Sequence, residues 1–209
     1  MSSEVWIEFG AIAVAHGLAV ASPGPDFTLI LRQSLRYGRA TALRSASGIG
    51  CGILVHVSYA LLGLGLVVRN SPTVFGVLKV LGAAYLAWMG WRALRSRGPG
   101  EMVVEEGVSS GPKRGAWRRG FLTNVLNPKA ALFFITLYTV LVSPETSRGW
   151  QAVYGAWMAI WTFGWFSLVA LVFTRPALRR SYLRMGVWVD RALGLVFIAF
   201  AVNVLLVKG

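Results

Sequence analysis

The chain has 209 residues, of which 56% are hydrophobic and only 14% are charged. Soluble domains carry about 25% charged residues, so this composition is typical of a membrane protein and excludes a disordered chain. The single cysteine, Cys51, excludes a framework of internal disulfides. The net charge of +13 would suit a nucleic-acid-binding protein. The basic residues cluster between long uncharged stretches, however, so no nucleic-acid partner is expected.

Six stretches are long and apolar enough to cross a lipid bilayer, which takes about 20 residues. In chain order they are 5–31, 45–68, 71–91, 120–142, 149–174 and 185–207. The first is interrupted by Pro23-Gly24-Pro25. It is expected to remain as a span, because Glu4 and Glu8 stand where a cleaved signal peptide carries basic residues. The sequence therefore predicts an all-α membrane protein with six transmembrane helices.

The distribution of Lys and Arg predicts the orientation of these spans. Fifteen basic residues fall in or beside the first, third and fifth connections, against three in the remaining connections and tails. Positively charged connections stay in the cytoplasm. Both termini are therefore expected on the periplasmic or extracellular side.

The two halves of the chain resemble each other. Gly24-Pro25-Asp26 has a counterpart in Asn127-Pro128-Lys129, and Lys79-x-x-Gly82-x-x-Tyr85 has one in Arg191-x-x-Gly194-x-x-Phe197. Three spans per half is an odd number, so the second half would enter the membrane in the opposite sense. Inverted repeats with interrupted helices are typical of secondary transporters. The predicted divisions are 1–95 for the first repeat, 96–117 for a cytoplasmic linker and 118–209 for the second repeat.

Both motifs are expected to break a helix. Proline lacks the N–H that a helix needs, and in lipid the freed backbone groups must face the protein interior. Ser22 and Asn127 each precede a proline, which favours them as N-caps of new half-helices. The N-terminus of a half-helix attracts a carboxylate. A purely structural kink is the alternative.

Asp26 and Lys129 follow the two breaks at equivalent positions and carry opposite charges. Lys129 lies ten residues past Arg119, about 15 Å into the membrane at the helical rise of 1.5 Å per residue. A charge there costs at least ~2.5–3.5 kcal/mol, so Asp26 and Lys129 are expected to pair or to flank one cavity. With Asp26 at the amine and Lys129 at the acid, such a cavity would hold an amino acid. A permanent structural ion pair is the alternative.

Other polar residues extend the candidate site. The expected substrate-binding residues are Pro23, Gly24, Pro25, Asp26, Asn124, Asn127, Pro128 and Lys129. Asp26 and His56 are candidates for a proton relay, since the pKa of a free imidazole lies near 6.5. His16 is either a second relay or a structural histidine. No cofactor or metal site is expected, because Cys51 and two distant histidines make a poor ligand set. Gly48-x-x-x-Gly52 predicts close helix contact within the chain, and a homodimer is left open.

Four motifs resemble the LysE/RhtB family of amino-acid exporters, the LysE-type translocators. They are Ser-Pro-Gly-Pro-Asp at 22–26, Gly48-x-Gly50-x-Gly52 with His56, Leu78-Lys79-x-x-Gly82-Ala83-Ala84-Tyr85-Leu86 with Gly90, and Gly120-Phe121-x-x-Asn124-x-x-Asn127-Pro128-Lys129. The resemblance implies export of an amino acid or close derivative across the bacterial inner (plasma) membrane, driven by proton antiport. The family often has Asn where this chain has Asp26. The alternatives are a cation or metal exporter of related fold, for which the spans carry few ligands, and an intramembrane enzyme, for which they carry no nucleophile motif.

Overall fold

The computed structural model describes residues 2–22, 24–64, 72–95, 115–143 and 145–173, with short helical stretches between 187 and 206. Within these residues the chain forms seven helices of ten residues or more. They are α1 (Ser2–Ala21), α2 (Pro25–Tyr37), α3 (Arg39–Tyr59), α4 (Pro72–Leu94), α5 (Ala116–Val125), α6 (Pro128–Val140) and α7 (Arg148–Phe173). A π-helical turn, Ala60–Leu64, continues α3. The predicted all-α fold is confirmed for this part of the chain.

The described helices include membrane spans. Three stretches, Glu4–Ala21, Arg39–Leu62 and Arg148–Phe173, are long and apolar enough to cross a bilayer. Helices α5 and α6 together make a fourth, bent by 53° at the break between them. Part of the predicted sixth span, 185–207, lies outside the described residues, and so does the predicted linker as far as residue 114.

The exposed and buried residues are distributed as in a membrane protein. Apolar side chains such as Ile7 and Ile160 are 73% and 70% exposed, while Asp26, His56 and Asn124 are buried. Exposed apolar surface of this kind is stable against lipid chains, and polar groups are satisfied inside. The polar interior is therefore where a functional site has to be sought.

The first transmembrane helix ends at Ala21, earlier than the predicted stretch 5–31. After the break, α2 is a separate amphipathic helix that carries Arg32 and Arg36, while Phe27 and Ile30 pack against α3 and α7. The turn at Gly38 has φ +79°, a left-handed value that favours glycine and lets α3 begin at once. The predicted break at Pro23-Gly24-Pro25 is confirmed, and the half-helix after it extends to Tyr37, beyond the predicted end of the span at Leu31.

Helices α3 and α5 cross at backbone contact. A Cβ atom on Gly48 would collide with the Trp117 carbonyl oxygen, and one on Gly120 would collide with that of Ser45. The Ser45 hydroxyl also donates a hydrogen bond of 3.0 Å to the carbonyl oxygen of Ala116. The expected use of the Gly48 motif in contacts within the chain is confirmed.

Gly48→Ala is expected to destabilise the protein at this crossing. An added methyl group in a closely packed interface typically costs ~1–3 kcal/mol, and here it meets backbone that cannot move aside. Thermal unfolding in detergent measures the effect, with Gly164→Ala as control, because nothing lies within 4 Å of a Cβ atom on Gly164. Equal unfolding temperatures for the two variants would contradict the crossing.

Candidate functional site

Two helix breaks face each other in the interior. Gly24 is the N-cap of α2 and Pro25 is its first residue; Asn127 is the N-cap of α6 and Pro128 is its first residue. The Asn127 side chain accepts a hydrogen bond of 3.0 Å from the backbone N–H of Lys129, so the predicted cap is confirmed.

The prediction that Ser22 is an N-cap is wrong. Its hydroxyl donates to the Ala19 carbonyl oxygen at 3.0 Å, and the residue belongs to the end of α1. Two residues separate Ser22 from Pro25, and since proline occupies the first helical position, the cap falls to Gly24. Pro23 lies outside the described residues.

The carboxylate of the first break is held by amides of the second. Asp26 is the second residue of α2 and is only 8% exposed. Its Oδ2 atom accepts hydrogen bonds of 2.9 Å from Asn124 Nδ2 and from Asn127 Nδ2. Bonds to an ionised acceptor are about twice as strong as neutral ones, so the two amides offset part of the cost of burying the carboxylate.

The ammonium of the second break is held by the end of α1. Lys129, the second residue of α6, donates from Nζ to the carbonyl oxygens of Ala19 at 3.1 Å and Ser22 at 2.8 Å, and to the Ser22 hydroxyl. Position 23 is proline and offers no N–H to the Ala19 carbonyl. A cation also suits the negative end of the helix dipole. We call Lys129, Ala19 and Ser22 the lysine clasp.

Asp26 and Lys129 line one small cavity, as the sequence analysis allowed. Its volume is about 40 Å³, and its wall also includes His16, Asn124 and Asn127. The share of one water molecule in the liquid is about 30 Å³, so a space of this size is smaller than an amino acid. An amino acid therefore fits this cavity only if its walls move apart.

An open crevice lies on the other side of the lysine clasp. We call it the vestibule: a space of about 780 Å³ between the two breaks and the C-terminal end of α4. Arg92 stacks over the Trp88 ring at 5.1 Å and Arg95 over the Trp91 ring at 3.9 Å in its wall. The cavity and the vestibule share Ser22, Gly24, Asn127 and Lys129, so two residues of the clasp lie where the two spaces border each other.

His56 lies behind the cavity wall. Its Nε2 atom is 3.0 Å from the Asn124 carbonyl oxygen, and its Nδ1 atom is 2.9 Å from the Tyr59 hydroxyl. Tyr59 in turn donates to the Ala131 carbonyl oxygen at 3.2 Å. Asn124 thus links the two candidate relay residues, through its amide to Asp26 and through its backbone to His56.

The sequence did not predict that His16 and Thr162 belong to the site. His16 lies in the cavity wall, where its Nε2 atom is 2.9 Å from Thr162 Oγ1 and 3.2 Å from the Met158 carbonyl oxygen. These partners lie more than 140 positions away along the chain, and no local motif marks them. In the described part of the chain, no group of three or more His, Cys, Asp or Glu residues could hold a metal ion.

The helices expose apolar side chains and enclose a polar site at the two helix breaks. This combination places the chain in the class of helical membrane proteins with an internal polar site. The family profile "LysE type translocator" matches residues 18–208, and the chain belongs to this family.

The chain is similar to several bacterial proteins over most of its length. A threonine efflux protein of Salmonella typhi is 30% identical over 204 residues, covering 95% of this chain and 97% of that protein. A threonine efflux protein of Escherichia coli K12 is 32% identical over 202 residues, with the same coverage. An uncharacterized membrane protein of Haemophilus influenzae is 26% identical and covers 90% of this chain and 91% of its own. No solved structure matches the chain.

Proposed function

We propose that this protein exports an amino acid or a close derivative from the bacterial cytoplasm across the inner membrane. Membership of the translocator family and similarity to two threonine efflux proteins support the proposal, and they make threonine the first substrate to test. The observation that carries it is the reciprocal contact of the two breaks. A carboxylate and an ammonium occupy the second position of matching helices and border one cavity.

The substrate lies between these two poles. Its ammonium faces Asp26, and its carboxylate faces Lys129 and the N-terminus of α6, with Gly24, Pro25, Asn124, Asn127 and Pro128 around it. In the structure Lys129 Nζ donates to three oxygen acceptors at the end of α1. A substrate carboxylate is a stronger acceptor than a neutral carbonyl, because the hydrogen bond is then between two charged groups. Substrate arriving in the vestibule therefore competes for Lys129 and opens the clasp.

The proposed architecture is six spans in two inverted repeats, with both termini outside the cytoplasm. The equivalence of the breaks supports it: α2 and α6 each have 13 residues, begin with proline and carry the site charge next. Transport is driven by proton antiport, with Asp26 and His56 as the titrating groups linked by Asn124. A protonophore should therefore stop export against a gradient.

Loading bacterial cells with dipeptides tests the proposal. Peptidases release free amino acids inside, so cells expressing the protein should hold a lower pool of at least one of them than cells expressing Lys129→Met. A threonine-containing dipeptide is the first probe, followed by a panel covering the twenty amino acids. Unchanged pools for the whole panel would contradict amino-acid export and favour a cation exporter.

Cysteine labelling tests the orientation. In a Cys51→Ser background, a cysteine at Ser109, outside the described residues, should resist a membrane-impermeant maleimide in intact cells and react after permeabilisation. A cysteine at Glu145, an exposed residue in the connection before α7, should react in both. Labelling of Ser109→Cys in intact cells would contradict the proposed orientation.

A further inference from the structure

Three buried polar atoms in the cavity wall have no hydrogen-bond partner among the described residues. They are Asp26 Oδ1, His16 Nδ1 and Asn124 Oδ1. All three residues line the cavity of about 40 Å³, and His16 and Asn124 are each only 1% exposed. A buried polar atom without a partner costs ~1–3 kcal/mol, and folded proteins rarely leave several together. The grouping points to a ligand that completes them.

Two of these atoms are acceptors when Asp26 is ionised and His16 is neutral. The Met158 carbonyl can only accept, so His16 Nε2 carries the proton and a neutral ring leaves Nδ1 with a lone pair. Asp26 Oδ2 already accepts from two amides, and its Oδ1 atom is a second carboxylate oxygen without a donor. The Asn124 Oδ1 atom is packed beside Gly52 on α3, so only the other two atoms are assigned to a ligand.

Hydrogen-bond acceptors that have no donor favour a ligand rich in N–H groups. A primary ammonium has three of them and carries the charge that complements Asp26. The aromatic surroundings agree: the rings of Phe133 and Phe134 lie 5.9 Å and 5.8 Å from the His16 ring and line the cavity. Aromatic faces attract cations. A substrate carboxylate would be repelled at this end.

We infer that His16 is a specificity-determining residue that, together with Asp26, binds a primary ammonium group of the substrate. The inference rests on the proposed function and deepens it, because it defines the substrate class as molecules with a free amino group. N-acylated amino acids, which have lost the charge and two of the three N–H donors, are rejected. His16 accepts one N–H at Nδ1, while its Nε2–H remains anchored on α7 by Met158 and Thr162.

Ligand-dependent thermal unfolding of the purified full-length protein tests this assignment. The probes are the twenty L-amino acids, their N-acetyl derivatives and methylammonium, since a ligand that binds the folded state raises the unfolding temperature. His16→Phe keeps an aromatic ring but removes the acceptor, and His16→Gln keeps both a donor and an acceptor. Thr139→Val is the matched control, because it removes another buried, unpartnered polar atom that lies outside the cavity wall.

We expect the wild type and Thr139→Val to bind at least one amino acid with equal affinity and no N-acetyl derivative. His16→Phe should raise the dissociation constant at least tenfold, and His16→Gln should recover part of the loss. Unchanged affinity in His16→Phe, or binding of N-acetyl derivatives by the wild type, would overturn the assignment without touching amino-acid export. If His16→Phe does not fold, the N-acetyl comparison and His16→Gln still decide.

The same measurement distinguishes a failure of the proposed function from a failure of the ammonium subsite. Stabilisation of the wild type by methylammonium but by no amino acid would contradict amino-acid export and retain the ammonium subsite. The absence of stabilisation by any probe would overturn the subsite.

Discussion

Lys129→Met is expected to reduce export below a tenth of the wild-type rate while leaving membrane insertion intact. Methionine has a similar length but no charge, so the substrate carboxylate loses its partner. The Ser22 carbonyl oxygen loses the Lys129 donor at the same time, which costs ~1–3 kcal/mol if the group stays buried and unpaired, while the Ala19 carbonyl oxygen keeps the Ser22 hydroxyl as a donor. The apolar spans determine insertion, so the variant should still be found in the membrane fraction.

Lys129→Arg should also be a poor exporter. A Cβ atom on Gly24 would lie 3.2 Å from Lys129 Cδ and 3.4 Å from Nζ, so the lysine passes close to the backbone of the first break. A planar guanidinium does not replace a compact ammonium in that space.

For Lys129→Met, the control for the lost charge is Arg148→Met, which removes an exposed charge at the start of α7. Export by Lys129→Met at the rate of Arg148→Met would reduce the clasp to a structural contact.

Asp26→Asn and Asp26→Ala are expected to separate the stability of the site from its function. Both amides bind one oxygen of Asp26, and the single oxygen of asparagine can accept the same two bonds. The free energy of unfolding of Asp26→Asn should therefore stay within about 1 kcal/mol of wild type. Asp26→Ala should lose more, because unpaired amide donors of Asn124 and Asn127 cost ~1–3 kcal/mol each.

Export should fall at least tenfold in both variants. In Asp26→Asn an NH₂ group replaces the unpaired carboxylate oxygen, so a donor faces the substrate ammonium where an acceptor is needed. Thermal unfolding in detergent and export from proteoliposomes measure the two effects in parallel. A permanent ion pair makes the opposite prediction: Asp26→Asn would lose ~3–5 kcal/mol, and adding Lys129→Met would restore it. That result would contradict a substrate role for Asp26.

The sequence predicted the breaks because proline and glycine act locally. Pro128 after Asn127 was enough to predict the cap of α6, and the matching positions of Asp26 and Lys129 were enough to expect them at one cavity. The missing N–H of Pro23 also leaves the Ala19 carbonyl without its helical backbone donor. Its use as a lysine acceptor was not predicted, because charge patterns in a sequence reveal carboxylates and not backbone carbonyls.

The other differences arise from contacts that no local pattern specifies. Ser22 was assigned to the wrong helix because the cap position depends on where α1 ends, and Pro25 rather than Pro23 begins α2. Helices α1 and α2 were counted as two halves of one span, 5–31, because the apolar run continues beyond the break as far as Leu31. The place of His16 depends on α7 lying against α1, a contact between residues 146 positions apart at His16 and Thr162.

Efflux from preloaded proteoliposomes is the most direct test of amino-acid export through this site. Vesicles containing the wild type, Lys129→Met or Asp26→Ala are loaded with one labelled L-amino acid at a time, threonine first, and placed in buffer with a proton gradient directed into the vesicle lumen. The wild type should release at least one amino acid faster than protein-free vesicles, and both variants should match the protein-free rate. No accelerated release for any of the twenty, or equal release by all three proteins, would contradict the assignment.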